Sequence, residues 1–237
     1  WGKIPGGGCE MQRHFDFSSY AEKVRAVVAE ELESARSAAA ICGTTSRITS
    51  LAEETLAENI GFHGPEHIAC RAGCGTCCVL NVSTLLPEAI AIAAYVQREF
   101  AGEGFTRLKE RIDQLYACSR WLDEEERLFL RRPCAFLDET KSCAIYPVRP
   151  LLCRSMTSTD SDSCLQAIAM PALGEFKPVL MNLFQKSLMN VTFEALGQAL
   201  DETGLDSRGV RLTEAVKALI EEPELAEEFG AGKRIAL

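Results

Sequence analysis

Hydrophobic residues recur at helical spacing along most of this chain. The first repeat begins behind a capping box formed by Ser19 and Glu22, and it predicts a helix over about residues 19–40 that stops before Gly43. A second helix is expected over about residues 45–60, where a glycine ends the pattern. Further helical patterns cover about residues 87–100, 105–130, 162–170, 176–202 (in broken pieces) and 209–229.

Two segments interrupt this pattern, and most of the cysteines fall within them. In the first, residues 62–81, glycines and a proline break any period. In the second, residues 134–137 and 142–146 predict two short strands around a tight turn. Two strands alone are only marginally stable in water, so we expect bound metal to hold both segments together. The predicted fold class is therefore mainly α, a helical shell around two irregular cysteine-rich segments with one small β-hairpin.

Length and charge limit the architecture and the partners. We divide the 237 residues into an N-terminal helical region (1–61), a cysteine-cluster metal-binding domain (62–166) and a C-terminal helical region (167–237), packed as one unit. The net charge of -9 argues against nucleic acid and anionic membrane surfaces as partners. No apolar run is long enough to span a bilayer, and no apolar signal segment follows the glycine-rich start. We therefore expect a cytoplasmic protein.

The 11 cysteines carry the main chemical signal. In a reducing compartment, clustered cysteines favour metal binding or redox catalysis over disulfides. Eight of them lie in these two segments, four within residues 70–78 and four within residues 134–164. This number suits two four-thiolate zinc sites or an iron–sulfur arrangement, because both take soft thiolate ligands. The predicted metal ligands are Cys70, Cys74, Cys77, Cys78, Cys134, Cys143, Cys153 and Cys164.

The adjacent pair Cys77 and Cys78 constrains how these thiols are shared. Neighbouring side chains of an extended chain point to opposite faces, so we expect the two to serve different metals, or one to serve none. Serving different metals would join the two segments. Outside the cluster, Cys118 continues the face of an apolar helix and Cys42 lies at a predicted helix end, and both are expected to be core thiols.

Cationic residues are concentrated beside the second cysteine segment. Five cations and two acids lie between residues 131 and 154, opposite in sign to the chain as a whole. We expect Arg71, Tyr146, Arg149 and Arg154 to surround the sulfurs and to balance their charge, a role that groups around metal ligands often have. A solvated basic patch is the alternative explanation.

Two runs of residues resemble the YkgJ-type cysteine-cluster family. The first is C-x3-C-G-x-C-C at residues 70–78, and the second is C-x-I-Y-x2-R-P-x2-C-R at residues 143–154. The family is described as a zinc- or iron-chelating domain, so the resemblance, over about residues 68–166, implies metal binding. The three-residue gap in C-x3-C departs from the two residues of many members, and Ala135 replaces a frequent proline.

These features support two main functional hypotheses. The first is a metal-binding protein without catalysis, acting as a folding unit, a metal carrier or an interaction module for a protein partner. The second is an iron–sulfur enzyme or electron carrier. The family also resembles flagellin lysine N-methylases, which implies methyl transfer from S-adenosylmethionine, but no glycine-rich cofactor loop follows a strand here. Thiol–disulfide exchange at C-G-T-C (74–77) lacks a thioredoxin-like context.

Overall fold

The computed structural model describes residues 15–59, 68–169 and 177–237, and most of these residues are helical. The predicted mainly-α class is thus confirmed. None of the described helices has the length and apolarity needed to cross a bilayer. In these ranges the helices are α1 (Phe17–Ser34), α2 (Ala38–Asn59), α3 (Leu86–Glu99), α4 (Gly102–Ser119), α5 (Glu124–Leu130), α6 (Leu151–Ser155), α7 (Ser161–Ala169), α8 (Leu183–Glu202), α9 (Leu212–Glu221) and α10 (Leu225–Gly230).

One hydrophobic core connects residues from Tyr20 near the start to Ile235 near the end. Helix α1 packs on α8, α2 packs on α3, and α3 packs on α9. The short helix α6, which carries Cys153, packs against α8 and so attaches the second cysteine segment to this helical body. The division of the chain into three regions stays a prediction.

The boundary between the first two helices differs from the prediction. Asp16, not Ser19, caps α1, because its carboxylate accepts the backbone N–H groups of Ser18 and Ser19. The helix then ends at Ser34, and Gly43 lies inside α2. The hydroxyl of Ser37 accepts the backbone N–H of Ala40 at 3.3 Å, so a serine begins the second helix within the range predicted for the first.

Later helix boundaries differ for similar reasons. The predicted helix over 105–130 is two helices, since Asp123 and Glu126 form a capping box that starts α5. The helix before it, α4, begins at Gly102, whose positive φ of 52° favours glycine. Pro223 lies between α9 and α10 and divides the predicted 209–229 helix, whereas α8 is continuous.

The structure has a small two-stranded antiparallel sheet, but it does not lie in the predicted hairpin. Ser83–Thr84 pairs with Val210–Arg211. Between 134 and 146 there is a single bridge, from Leu137 to Cys143. Turns closed by Leu137 N–H to Cys134 C=O at 3.0 Å and by Tyr146 N–H to Cys143 C=O at 3.1 Å bend both arms, which leaves no room for a longer ladder.

Candidate metal centre

The two cysteine segments enclose a cavity of about 880 Å³. Its walls come from α4, α5, the loop around residues 134–145, α6 and the start of α8. Seven of the eight predicted ligands line this cavity, and Cys164 lies on α7 beside it. The lining cysteines are Cys70, Cys74, Cys77, Cys78, Cys134, Cys143 and Cys153.

The first segment folds as two consecutive tight turns. The N–H of Cys74 donates to the carbonyl of Arg71 at 3.0 Å, and Gly73 has a φ of 85°, which favours glycine. A 3₁₀ turn then covers Thr76–Val79. Gly75 allows this turn to approach the second segment, because a Cβ atom there would lie 2.7 Å from a methyl of Leu137.

The adjacent cysteines are not in extended chain, so the premise of our prediction about them is wrong. In this 3₁₀ turn both cysteines line the same cavity, and their thiols form a hydrogen bond with each other. The bond from Cys78 lowers the pKa of Cys77 to about 6, while the same bond raises the pKa of Cys78. A lowered pKa favours the thiolate form of Cys77, which is the form that binds metal.

Backbone hydrogen bonds join the two segments directly. The N–H of Cys134 donates to the carbonyl of Cys78 at 2.6 Å, and the N–H of Ala69 donates to the carbonyl of Ser158 at 2.8 Å. In return, the N–H of Ser158 donates to Sγ of Cys70 at 3.3 Å. Backbone hydrogen bonds therefore connect the two sides of the cavity.

The sulfurs of the second segment accept further backbone donors. The N–H of Phe136 donates to the thiol of Cys134, and the N–H of Ile145 donates to that of Cys143. Such bonds favour the thiolate form. Burial acts in the opposite direction and is stronger, so the pKa of Cys134 rises to about 11 and that of Cys153 lies well above its usual range. Metal binding here must therefore release protons.

The four residues expected around the sulfurs have different surroundings. The positive charge of Arg149 lowers the pKa of Cys77, and its guanidinium stacks over the Tyr146 ring, 4.8 Å from the centroid. Arg154 is buried and pairs with Glu53, and it also donates to the carbonyls of Arg149 and Pro147. Its main contacts therefore hold the backbone at residues 147–149, just before the helix that carries Cys153. The fourth, Arg71, is exposed at the cavity wall.

Arg127 lines the cavity although its place in the sequence does not predict this. Its side chain is only 2% exposed. It follows three glutamates in α5, so the local pattern places it on a solvated face. No feature of the sequence distinguishes it from the exposed arginines nearby.

The remaining cysteines agree only in part with expectation. Cys42 is partly buried against the core, as predicted. Cys118 is exposed, so the prediction of a core thiol is wrong; the buried stripe of α4 passes through Leu115 and Ser119 and leaves Cys118 outside. All ten described cysteines are free thiols. Within the described ranges, no three Cys, His, Asp or Glu side chains are already arranged around a single metal position.

Comparison with known proteins supports metal binding by this part of the chain. Residues 69–171 match the CxxCxxCC family. The family model is described as "Putative zinc- or iron-chelating domain", and the match spans less than half of the 237 residues. This CxxCxxCC segment contains all eight predicted ligands, and the family resemblance is thereby confirmed. Neither a curated protein nor a solved structure matches the chain.

Proposed function

We propose that the CxxCxxCC segment binds a soft metal centre, zinc or an iron–sulfur cluster, through its clustered thiolates. The observation that carries this proposal is the convergence of seven free cysteines on one cavity. The donor set fits the metal, since soft thiolates suit both zinc and iron–sulfur clusters. The cavity supplies thiols from two segments about sixty residues apart in the chain, so the metal would also strengthen the tertiary structure.

The surroundings of the eight thiols favour two groups of four. The pKa of Cys70 responds to three other thiols, those of Cys74, Cys77 and Cys164. Helix α7, which carries Cys164, packs on the 3₁₀ turn that carries Cys77. We call these four residues the outer group.

The other four thiols form the inner group. The pKa of Cys78 responds to Cys134 and Cys153, and that of Cys153 responds to Cys134 and Cys143. Cys77 also acts on Cys78, Cys134 and Cys153, so it borders both groups, and we place it in the outer group because of its effect on Cys70 and the packing of α7 on its turn. The backbone bond from Cys134 to Cys78 supports the same grouping. In this arrangement the adjacent cysteines 77 and 78 serve different groups, and the two centres lie side by side.

The first experiment is metal and acid-labile sulfide analysis, with a visible spectrum, on protein purified without oxygen. Zinc would give a colourless protein with about two zinc ions per chain and no sulfide, as two four-thiolate sites require. Iron–sulfur clusters would give a brown protein with matching iron and sulfide. Protein that contains neither metal after reconstitution would refute the proposal.

Serine variants test the two groups. We expect Cys74→Ser to lose the outer centre and Cys143→Ser to lose the inner one, so each variant retains half of the metal and the double variant retains none. Cys118→Ser is the matched control, because this exposed thiol lies outside both groups and its loss should leave the metal content unchanged. Complete metal loss from either single variant would contradict the division into two groups, and equal loss from the control would contradict the choice of ligands.

A further inference from the structure

Three of the four buried side-chain polar atoms that lack a hydrogen-bond partner in the described part of the chain belong to residues lining the cysteine cavity. They are Nη1 of Arg127, Nε of Arg149 and Oγ1 of Thr157. Buried polar atoms are nearly always paired, and each unpaired one costs free energy. All three groups can donate a hydrogen bond, so their concentration here indicates an electron-rich occupant.

Arg127 is the most deeply buried of these three residues. It is the largest of the fully buried side chains, and no described carboxylate forms an ion pair with it. Burial is the main influence on the pKa of Arg127 and lowers it, while the nearby groups of Cys134, Cys118 and Glu124 act in the opposite direction. A guanidinium without a counter-ion is costly to bury, so its place in the cavity wall favours an anionic occupant of this cavity.

The position of Arg127 is fixed by its helix. The capping box of Asp123 and Glu126 starts α5, with bonds of 2.8 and 3.0 Å. The same helix packs on the 3₁₀ turn that carries Cys77 and Cys78. The helix that carries Arg127 is therefore held beside the turn that carries Cys77 and Cys78.

We propose that Arg127 is a positioning residue for the inner centre: its buried guanidinium offers an unpartnered N–H to the cysteine cavity and balances the negative charge of the loaded inner group. Arg127 itself binds no metal. This inference rests on the proposed function, because the charge that Arg127 balances is that of the metal-loaded centre. Removal of such a partner typically lowers metal affinity by about 10–100-fold.

Chelator competition on the metal-loaded protein tests this role. We expect Arg127→Met to release half of its metal, the inner half, at a chelator concentration at least about tenfold lower than wild type requires. Arg127→Lys retains the charge and should fall between the two. Arg132→Met removes an exposed cation beside the same segment, and it should behave as wild type.

A second measurement distinguishes this role from a purely structural one. In excess chelator, the urea midpoint of Arg127→Met should equal or exceed that of wild type, because the substitution removes a buried charge that has no partner in the metal-free protein. A structural arginine would instead lower the midpoint with and without metal. Unchanged metal retention in Arg127→Met, or retention in Arg127→Lys as poor as in the Met variant, overturns the inference. A wild-type protein that holds no metal would instead refute the proposed function itself.

Discussion

Oε1 of Glu88 accepts the backbone N–H of Leu151 at 2.8 Å, across 63 positions of the chain. Its other oxygen, Oε2, accepts the N–H of Leu85 at 2.9 Å and the hydroxyl of Thr84 at 3.0 Å. One buried carboxylate on α3 therefore satisfies the first free N–H of α6, the helix that carries Cys153. The bond attaches the start of the helix that carries Cys153 to the helical body.

Glu88→Ala should destabilise the protein by about 2–5 kcal/mol, because two backbone N–H groups and a hydroxyl lose their buried acceptor. Urea unfolding monitored by circular dichroism measures the change. The control is Glu99→Ala at the end of the same helix, where a half-exposed carboxylate pairs with Arg98 at the surface. There we expect less than about 1 kcal/mol. Similar losses in both variants would contradict the role of the buried carboxylate.

The same residue predicts a pH dependence of stability. Burial raises the pKa of Glu88 above its ordinary value of 4.5, and the hydrogen bonds it accepts offset this only in part. A carboxyl with a raised folded-state pKa contributes most stability below pH 4.5, and the contribution declines as pH rises through the folded pKa. The free energy of unfolding of wild type minus that of Glu88→Gln should therefore fall with increasing pH. A difference that is constant or rises with pH would contradict the shift.

Glu88 also illustrates what the sequence can and cannot predict. Local spacing predicted most helices, and the cysteine runs identified the metal-chelating segment, because both signals are carried by neighbouring residues. Glu88, in contrast, lies in an apolar run of α3, and the backbone N–H that its carboxylate accepts belongs to Leu151, 63 positions away. Arg127 is a second example, because Cys134, which acts on its charge, lies outside the helix that carries Arg127. The conformation of Cys77 and Cys78 was not predicted, because these residues lie in a 3₁₀ turn and not in the expected extended chain.

Arg154 is expected to act on stability more than on metal retention. Its guanidinium bridges the carbonyls of Arg149 and Pro147, at 2.7 and 3.0 Å, and pairs with Glu53. Arg154→Met leaves both carbonyls without this donor and should cost about 3 kcal/mol in urea unfolding. Arg154→Lys should restore little, because a single ammonium lacks the planar fork that reaches all three partners.

Glu53→Gln provides the matched comparison for Arg154. The side chain of Glu53 is 53% exposed, so water replaces much of its interaction, and we expect a loss below about 1 kcal/mol. If Glu53→Gln costs as much as Arg154→Met, the ion pair and not the carbonyl contacts would be the main contribution of Arg154.

Asp138 holds the turn between Cys134 and Cys143. Its Oδ1 accepts the hydroxyl of Thr140 at 2.7 Å and the backbone N–H groups of Thr140 and Ser142, both at 2.8 Å, and these bonds lower the pKa of Asp138. Asp138→Ala should loosen the turn and lower both the melting temperature and the chelator concentration for half release. Asp138→Asn keeps the accepting oxygen and should stay close to wild type. An alanine variant that retains metal as well as the asparagine variant would exclude a role for the turn in the centre.

The contact between Gly75 and Leu137 gives a test of how the two cysteine segments fit together. A Cβ atom at position 75 would lie 2.7 Å from one Leu137 methyl and 3.2 Å from the other, so Gly75→Ala requires this side chain to move. Overpacking of this kind costs about 1–3 kcal/mol, and the flexible leucine tip favours the lower end. Leu137→Ala removes both methyls and leaves a space. In the double variant, the Cβ atom introduced by Gly75→Ala partly fills this space.

The double variant Gly75→Ala/Leu137→Ala should therefore lose less free energy of unfolding than the sum of the two single variants, by about 0.5 kcal/mol or more. Chelator competition should show the same compensation, because the close approach of Gly75 to Leu137 joins the turn carrying Cys77 and Cys78 to the turn carrying Cys143. Simple additivity in both measurements would mean that the two segments do not depend on this contact, and that the backbone bonds from Cys134 to Cys78 and from Ala69 to Ser158 connect them without it.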